Sequence, residues 1–101
     1  MSYPYKLHGF AHREFIDAYE WYELRKKGLG DSFMQAIEKK LKLISKHPEY
    51  YSRKKSNFRE TKVTGFPYVI VYEFLPRKKQ ILIAAIYHSK RNPRRKYRRR
   101  K

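Results

Sequence analysis

The sequence predicts an α+β fold in which two antiparallel helices pack on one face of a small, mainly antiparallel, twisted sheet. In the first half, apolar residues recur at steps of three and four, which is the spacing of a helix. In the second half, two runs of β-branched and aromatic residues have the length of strands. The chain has 101 residues, so one domain with one modest core is expected.

The first half predicts a helical hairpin. An apolar stripe predicts a helix over residues 11–27, at Ala11, Phe15, Ala18 and Tyr22. The Gly28-Leu29-Gly30 segment breaks this pattern, and Asp31 is the predicted N-cap of a second helix that ends at Pro48. A short connection between two helices favours an antiparallel pair, whose apolar stripes need a partner surface.

The second half predicts the sheet that supplies this surface. Residues 68–75 and 80–87 are predicted to be central strands, joined by a hairpin loop at residues 76–79. Residues 58–64 form a weaker candidate strand, and residues 5–8 form a short N-terminal candidate. By alternation, His88 should lie half-buried on the same side of the last strand as its predicted neighbours, Leu82, Ala84 and Ile86.

The charge of the chain points to an anionic partner. The formal net charge is +17, with 9 Lys/Arg against 7 Asp/Glu in residues 1–50 and 17 against 2 in residues 51–101. Like charges repel in a compact chain, so we expect nucleic acid as the partner and the second half as the binding half. We expect a single domain over residues 1–90 and a basic tail over residues 91–101.

The composition also excludes several classes of protein. The chain has no cysteine, which excludes disulfides and thiolate metal sites and fits a reducing cytoplasm. No signal peptide or membrane span is visible, so a cytoplasmic protein with no membrane partner is expected. Without a glycine-rich phosphate loop, a zinc motif or a spaced His/Asp set, no cofactor and no metal are predicted. The acidic stripe of the first helix is expected to be a solvated face: Glu14, Asp17, Glu20 and Glu23.

Several stretches resemble one family of bacterial proteins over nearly the whole chain. They are residues 18–23, residues 28–33, His47-Pro48-Glu49, residues 66–72 and residues 88–93. In this order and spacing they resemble the RelE/ParE superfamily, the toxins of type II toxin-antitoxin systems. The resemblance implies a toxin that arrests growth and is silenced by a cognate acidic antitoxin.

The resemblance leaves the activity open, because the superfamily contains two kinds of toxin. RelE-type members cleave mRNA in the ribosome without a metal, using basic side chains and the ribose 2′-hydroxyl. ParE-like members inhibit DNA gyrase and have no nuclease chemistry. Cleavage of mRNA is the preferred prediction, and gyrase inhibition is the alternative. A non-catalytic RNA- or ribosome-binding protein is a third possibility, for which the charge alone would suffice.

The resemblance also implies candidate site residues. Arg91, followed six positions later by Tyr97, resembles the RelE pattern of an arginine and a later tyrosine. The resemblance implies that Arg91 contacts phosphate and that Tyr97 stacks on a base or orients the attacking hydroxyl. The candidate catalytic residues are Arg91, His88, Tyr97, Arg59 and Lys62. The candidate nucleic-acid contacts are Arg53, Lys54, Lys55, Lys90, Arg94 and Arg95. Val69 stands where RelE-type nucleases usually have an arginine, which favours the ParE-like alternative.

Residue types alone allow simpler interpretations of the same positions. A lone histidine at a strand end, such as His88, is more often structural than catalytic. Residues 53–55 form a basic run in a linker, which is usually a charged loop. Tyr97 lies in a segment without a core-forming pattern, although aromatic rings among cations often hold single strands.

Overall fold

The computed structural model describes residues 2–91, which form two helices and one five-stranded sheet. The elements in chain order are β1 (Tyr5–Leu7), α1 (Gly9–Arg25), α2 (Leu29–Lys46), β2 (Arg53–Lys55), β3 (Phe58–Lys62), β4 (Tyr68–Leu75) and β5 (Gln80–His88). Neither of the two helices is long and apolar enough to cross a membrane.

The sheet has the strand order β1-β5-β4-β3-β2. β1 runs parallel to β5, and the other neighbouring strands are antiparallel. β4 and β5 therefore lie in the interior of the sheet, as their near-continuous apolar sequences predict. The predicted fold class is confirmed, including the hairpin loop between these two strands.

Both helices pack on one face of the sheet, where the main core lies. Buried side chains of α1 and α2 meet Ile70, Tyr72 and Ile83 of the central strands. Phe33 lies at the centre of an aromatic cluster, with its ring centroid 5.1–5.3 Å from those of Tyr22, Phe66 and Tyr68. Such edge-on and tilted ring pairs stabilise a core beyond the area they bury. The apolar stripes of the two helices thus find the partner surface that the sequence requires.

The helix boundaries differ from the predicted ones. α1 begins at Gly9 because the His8 side chain, placed in the first strand by the sequence, caps the helix by accepting a hydrogen bond from Phe10 N. α1 ends at Arg25, since Lys26 has an extended backbone. The prediction that Asp31 is the N-cap of α2 is wrong. Gly28 holds that position at a φ of 90°, and Asp31 lies in the first turn.

Two acidic side chains of α1 hold this helix to the start of α2 and to β5. The Glu23 carboxylate accepts hydrogen bonds from the backbone N–H groups of Gly28 and Gly30, both at 2.9 Å. Glu14 Oε1 accepts one from Ile86 N at 2.8 Å and so joins α1 to β5. The expectation of a solvated acidic face is therefore wrong for Glu14 and Glu23, because it ignored the unpaired backbone donors of other elements. Asp17 and Glu20 are exposed, as expected.

A β-bulge reverses the alternation of side chains in β5. Val71 pairs with Ala85 and Tyr72 with Ile83, so Ala84 is an extra residue in β5. The main core contains Ile83 and Ile86, whereas Ala84 belongs to a second cluster on the other face. The predicted common side of Leu82, Ala84, Ile86 and His88 is therefore wrong.

The basic linker before β3 is not a loop. Arg53–Lys55 forms an edge strand, β2, in which Arg53 pairs with Arg59 and Lys55 with Phe58. Its sequence has no apolar residue, and the neighbouring strand β3 gives its backbone a partner. Charged residues on a short edge strand also oppose pairing with other chains. β3 ends at Lys62, two residues before the predicted end.

Candidate nucleic-acid interface

A groove of about 980 Å³ lies between α1 and the last residues of β5. Its helix side is lined by Arg13, Asp17 and Trp21, and its sheet side by Tyr68, His88, Lys90 and Arg91. Three of the predicted site residues, His88, Lys90 and Arg91, thus come together in one groove.

The turn after β5 brings these three residues together. Arg91 N donates to His88 O at 2.9 Å, which closes the turn, and Ser89 N donates to Pro67 O at 2.8 Å. The second bond ties the turn to the segment before β4. Because β5 is an interior strand, the turn rests on a rigid element, which suits a site that must hold a phosphate in place.

His88 is half-buried, as predicted, and lies on the helix side of the strand, as Ile86 does. Its ring packs edge-on against Tyr68, with the centroids 5.4 Å apart. Its Nδ1 accepts a hydrogen bond from Lys90 N at 3.1 Å. The neutral ring in this arrangement carries its proton on Nε2. In this tautomer the Nε2–H group can donate a hydrogen bond to a bound phosphate, and the ring can take up a proton there only if Nδ1 gives up its bond from Lys90 N.

The charge of Arg91 acts on Tyr68. Burial raises the pKa of Tyr68, and the Arg91 guanidinium opposes this rise. A positive charge lowers the pKa of a phenol by stabilising its anion. The side chain of Arg91 is otherwise exposed, and its planar fork of donors matches a phosphate.

The structure separates Arg59 from Lys62. Arg59 pairs with Tyr72 on the helix side of the sheet, and its Nη1 donates to Tyr51 O at 2.6 Å and to Glu49 O at 3.3 Å. These bonds hold the segment after α2 against the sheet. Lys62 is three residues further along β3, so it faces the opposite side, where it is exposed.

The face of the sheet away from the helices has its own small set of polar groups. Lys62 pairs with Val69, and Val69 with Tyr87, in one row across the sheet. The Tyr87 hydroxyl donates to Glu60 Oε1 at 3.4 Å. Val69 and Tyr87 belong to a buried cluster on this face. Sequence reasoning named Lys62 as a candidate without assigning it to a face, and it missed Glu60 and Tyr87, because the face of each residue depends on the strand register.

Three of the remaining predicted contacts lie away from the groove. Arg53, Lys54 and Lys55 are exposed on β2, which is separated from β5 by β3 and β4. They are not part of the groove. Tyr97, Arg94 and Arg95 lie outside the described residues. Within residues 2–91, no three His, Asp or Glu side chains are close enough to hold a metal ion.

Sequence reasoning missed the contribution of α1 to the groove. Phe10, Glu14, Asp17 and Trp21 recur at steps of four, three and four, and all four line the groove. This second stripe was visible in the sequence. The acidic residues in its middle made it resemble a solvated face.

The comparisons with known proteins agree on one fold. The model of the family described as the ParE toxin of type II toxin-antitoxin system, parDE, matches residues 5–93. A mutant of the E. coli toxin RelE in the free state is 17% identical, with a TM-score of 0.68 over 89% of this chain and 86% of that one. The chromosomal ParDE system of P. aeruginosa is 15% identical, with a TM-score of 0.69 over 86% and 96%.

A third similar structure is the RelBE2 toxin-antitoxin complex of Mycobacterium tuberculosis, at 13% identity and a TM-score of 0.62 over 87% of this chain and 99% of that one. None of the curated protein sequences matches the chain. Two helices on an open five-stranded sheet are the fold that these solved structures share with this chain. The match of the family model to residues 5–93 shows that the chain belongs to the ParE toxin family of type II toxin-antitoxin systems.

Proposed function

We propose that this toxin arrests growth by cleaving mRNA in the ribosome, with the groove beside α1 as its active site. The observation that carries the proposal is the convergence of His88, Lys90 and Arg91 at the turn after β5. Cleavage without a metal needs cations against the developing negative charge and a group that moves a proton. These three side chains supply both.

The proposed reaction uses the RNA strand itself as the nucleophile. The ribose 2′-oxygen forms a bond to the adjacent phosphorus, and the bond from phosphorus to the leaving 5′-oxygen breaks. The proton of the 2′-hydroxyl leaves to a base, and the 5′-oxygen gains a proton. His88 is proposed to move one of these protons, while Arg91 and Lys90 stabilise the extra negative charge.

Arg91→Ala tests this site. We expect the cleavage rate to fall by about 10²-fold or more, the scale seen when a preorganised transition-state donor is removed. Arg91→Lys should recover only part of the loss, because lysine keeps the charge but lacks the planar fork of donors. The measurement is primer extension on translating mRNA at equal toxin concentrations.

Arg77→Ala is the matched control for this experiment. Arg77 is an exposed arginine in the β4–β5 loop, at the opposite end of β5 from Arg91. Its removal costs the same charge and should leave cleavage nearly unchanged. Circular-dichroism melts should show that all three variants fold. Undiminished cleavage by a folded Arg91→Ala protein would remove Arg91 from the site.

Inhibition of DNA gyrase is the second candidate, and two observations favour it: the match of the ParE toxin family model to residues 5–93, and Val69. RelE-type nucleases usually have an arginine at this position, and here Val69 belongs to a buried apolar cluster. Arg59, a second predicted catalytic cation, lies on the helix side of the sheet, where its guanidinium donates to the backbone carbonyls of Glu49 and Tyr51. The discriminating measurement is which process stops first after induction, protein synthesis or DNA synthesis. Gyrase-dependent DNA breaks without mRNA cleavage would establish this second candidate.

The proposed partner of the toxin is a cognate acidic antitoxin. Similar solved structures include the E. coli RelBE and M. tuberculosis RelBE2 toxin-antitoxin complexes. A net charge of +17 favours a partner of opposite charge, since complementary charge speeds association. Co-expression of the neighbouring gene should restore growth. Failure of both flanking reading frames to do so would contradict the pairing.

A further inference from the structure

The indole of Trp21 lies in the groove, and the proposed cleavage does not use it. Trp21 is the only tryptophan of the chain, and 51% of its surface is exposed. The Arg25 guanidinium lies 4.2 Å from the centroid of its ring, and the Tyr22 ring packs edge-on at 5.2 Å. These contacts restrict the orientation of the indole. A large aromatic ring held in this way offers a surface on which a base can stack.

The charge of the groove favours an anionic occupant. Arg13, Lys90 and Arg91 line it against two acidic residues, Glu14 and Asp17. One of the two acids, Glu14, accepts a hydrogen bond from Ile86 N at 2.8 Å and so has a structural role. The cations lie on both walls, because Arg13 belongs to α1 whereas Lys90 and Arg91 follow β5.

The side chains of the groove indicate which anion it fits. Six of them carry aromatic rings: Phe10, Trp21, Tyr22, Tyr68, Tyr87 and His88. Flat rings beside arginine and lysine are the usual means of holding single-stranded nucleic acid, since every base has a face that can stack. An acidic peptide would match the charge but has no flat groups for these rings.

We propose that the groove holds one unpaired nucleotide of an RNA strand, with its base stacked on Trp21 and its phosphate at Arg91. The inference rests on the proposed function, because it adds a base-binding subsite to the same groove. Trp21 contributes affinity for the strand, and the residues at the turn after β5 act on the phosphate.

The single tryptophan makes the subsite directly observable. The probe is a 2′-O-methyl hexanucleotide, which lacks the attacking hydroxyl, so its binding is measured apart from cleavage. We expect saturable quenching of the Trp21 fluorescence, because a stacked base quenches an indole. A polyphosphate chain with a similar number of charges should quench much less, since it has no base.

A variant pair tests the same contact by affinity. Trp21→Ala should weaken binding of a labelled hexanucleotide, followed by fluorescence anisotropy, by about 10-fold, the scale of one stacked base. Trp21→Phe should recover part of the loss. Leu24→Ala is the control, because Leu24 is 86% exposed on the same helix and does not line the groove. It should bind as the wild type does.

Three outcomes would overturn the subsite. They are unchanged affinity of a folded Trp21→Ala protein, equal quenching by polyphosphate, and quenching by an acidic leucine-containing peptide but not by the hexanucleotide. The last result would make the groove a protein-docking surface. Failure of cleavage is a separate outcome: if the hexanucleotide quenches Trp21 but no mRNA is cut, the subsite stands and the nuclease proposal fails.

Discussion

Single side chains of the helices and strands hold irregular segments through buried or half-buried polar contacts. Tyr72 is fully buried, and its hydroxyl donates to Pro48 O at 2.6 Å. The Arg59 guanidinium and the Ser45 hydroxyl likewise donate to backbone carbonyls, of Tyr51 and Tyr3 respectively. Each bond satisfies a carbonyl outside a helix or strand ladder, where a missing partner is costly. The irregular segments are therefore held in place by side chains of the regular elements.

Tyr72→Phe should destabilise the protein. It removes the only atom that donates to the Pro48 carbonyl in the described hydrogen bonds, and a buried unpaired acceptor costs about 1–3 kcal/mol. The measurement is the midpoint of urea unfolding. Tyr50→Phe is the control, because Tyr50 is 80% exposed, and it should change the stability by less than about 0.5 kcal/mol. Equal effects of the two substitutions would contradict the role of the bond.

Alkaline pH should destabilise the protein through its buried tyrosines. Burial raises the pKa of Tyr72, and it also raises that of Tyr22 and Tyr68. A phenol whose pKa is higher in the folded state keeps its proton there when the unfolded chain has lost it. The stabilisation is thus complete below the unfolded pKa of about 10 and falls as the pH rises above it.

The measurement is the free energy of unfolding between pH 8 and pH 11. Tyr72→Phe should reduce the slope above pH 10, because it removes one of the titrating groups. An unchanged slope in this variant would show that other groups cause the alkaline loss.

At the scale of elements, close contacts join the two helices to each other and join α1 to the sheet. Gly30, in the first turn of α2, is buried against α1. The bulge in β5 turns His88 and Ile86 to the helix side, and Glu14 bonds to the strand just beyond the bulge. Bulges often lie beside functional sites, where they redirect a side chain. This one brings His88 into the groove.

Gly30→Ala should destabilise the helical hairpin. A Cβ atom at this position would lie 2.8 Å from Tyr19 O and 2.8 Å from Glu23 Oε1, so the two helices would have to separate. We expect a loss of about 1–3 kcal/mol, as for overpacking of a core. Gly9→Ala is the control: it meets nothing within 4 Å and should leave the stability unchanged or raise it by up to about 1 kcal/mol. A lower thermal midpoint for Gly9→Ala than for Gly30→Ala would contradict this account.

At the scale of the whole molecule, the positive charge is concentrated in the half that forms the sheet and the site. Of the three cationic residues that line the groove, Lys90 and Arg91 belong to this half of the chain, whereas Arg13 belongs to the other half. The described part of the basic half also holds the edge strand β2 and the β4–β5 loop, with Arg77, Lys78 and Lys79. An RNA partner would therefore meet positive charge at several places, with the groove as one of them.

Binding of RNA should weaken with salt in proportion to the number of phosphates contacted. The logarithm of the affinity should fall linearly with the logarithm of the salt concentration, because each contact releases condensed counterions. Lys90→Gln should reduce the slope by about 1, as expected when one phosphate contact is lost. Lys39→Gln on α2 is the control and should leave the slope unchanged. Affinity that stays flat from low to physiological salt would exclude the basic half as the binding surface.

The sequence by itself determined the fold class, both helices and the two central strands, and its charge predicts an anionic partner. Apolar periodicity and net charge are properties of the chain that need no tertiary information. The stripe through Tyr22 was therefore sufficient to predict α1, and the two apolar runs were sufficient to predict β4 and β5. The turn residues His88, Lys90 and Arg91 are close in sequence. Their proximity in the groove followed from that.

Only the tertiary structure decided which residues share a face. The extra residue Ala84 reverses the alternation of β5, and a shift of one residue turns every side chain to the other side of a sheet. Neighbouring strands made Arg53–Lys55 a strand, and long-range packing brought Trp21 of α1 to the groove beside Arg91. Such contacts depend on register and on the docking of distant elements, whose energies are absent from any local pattern.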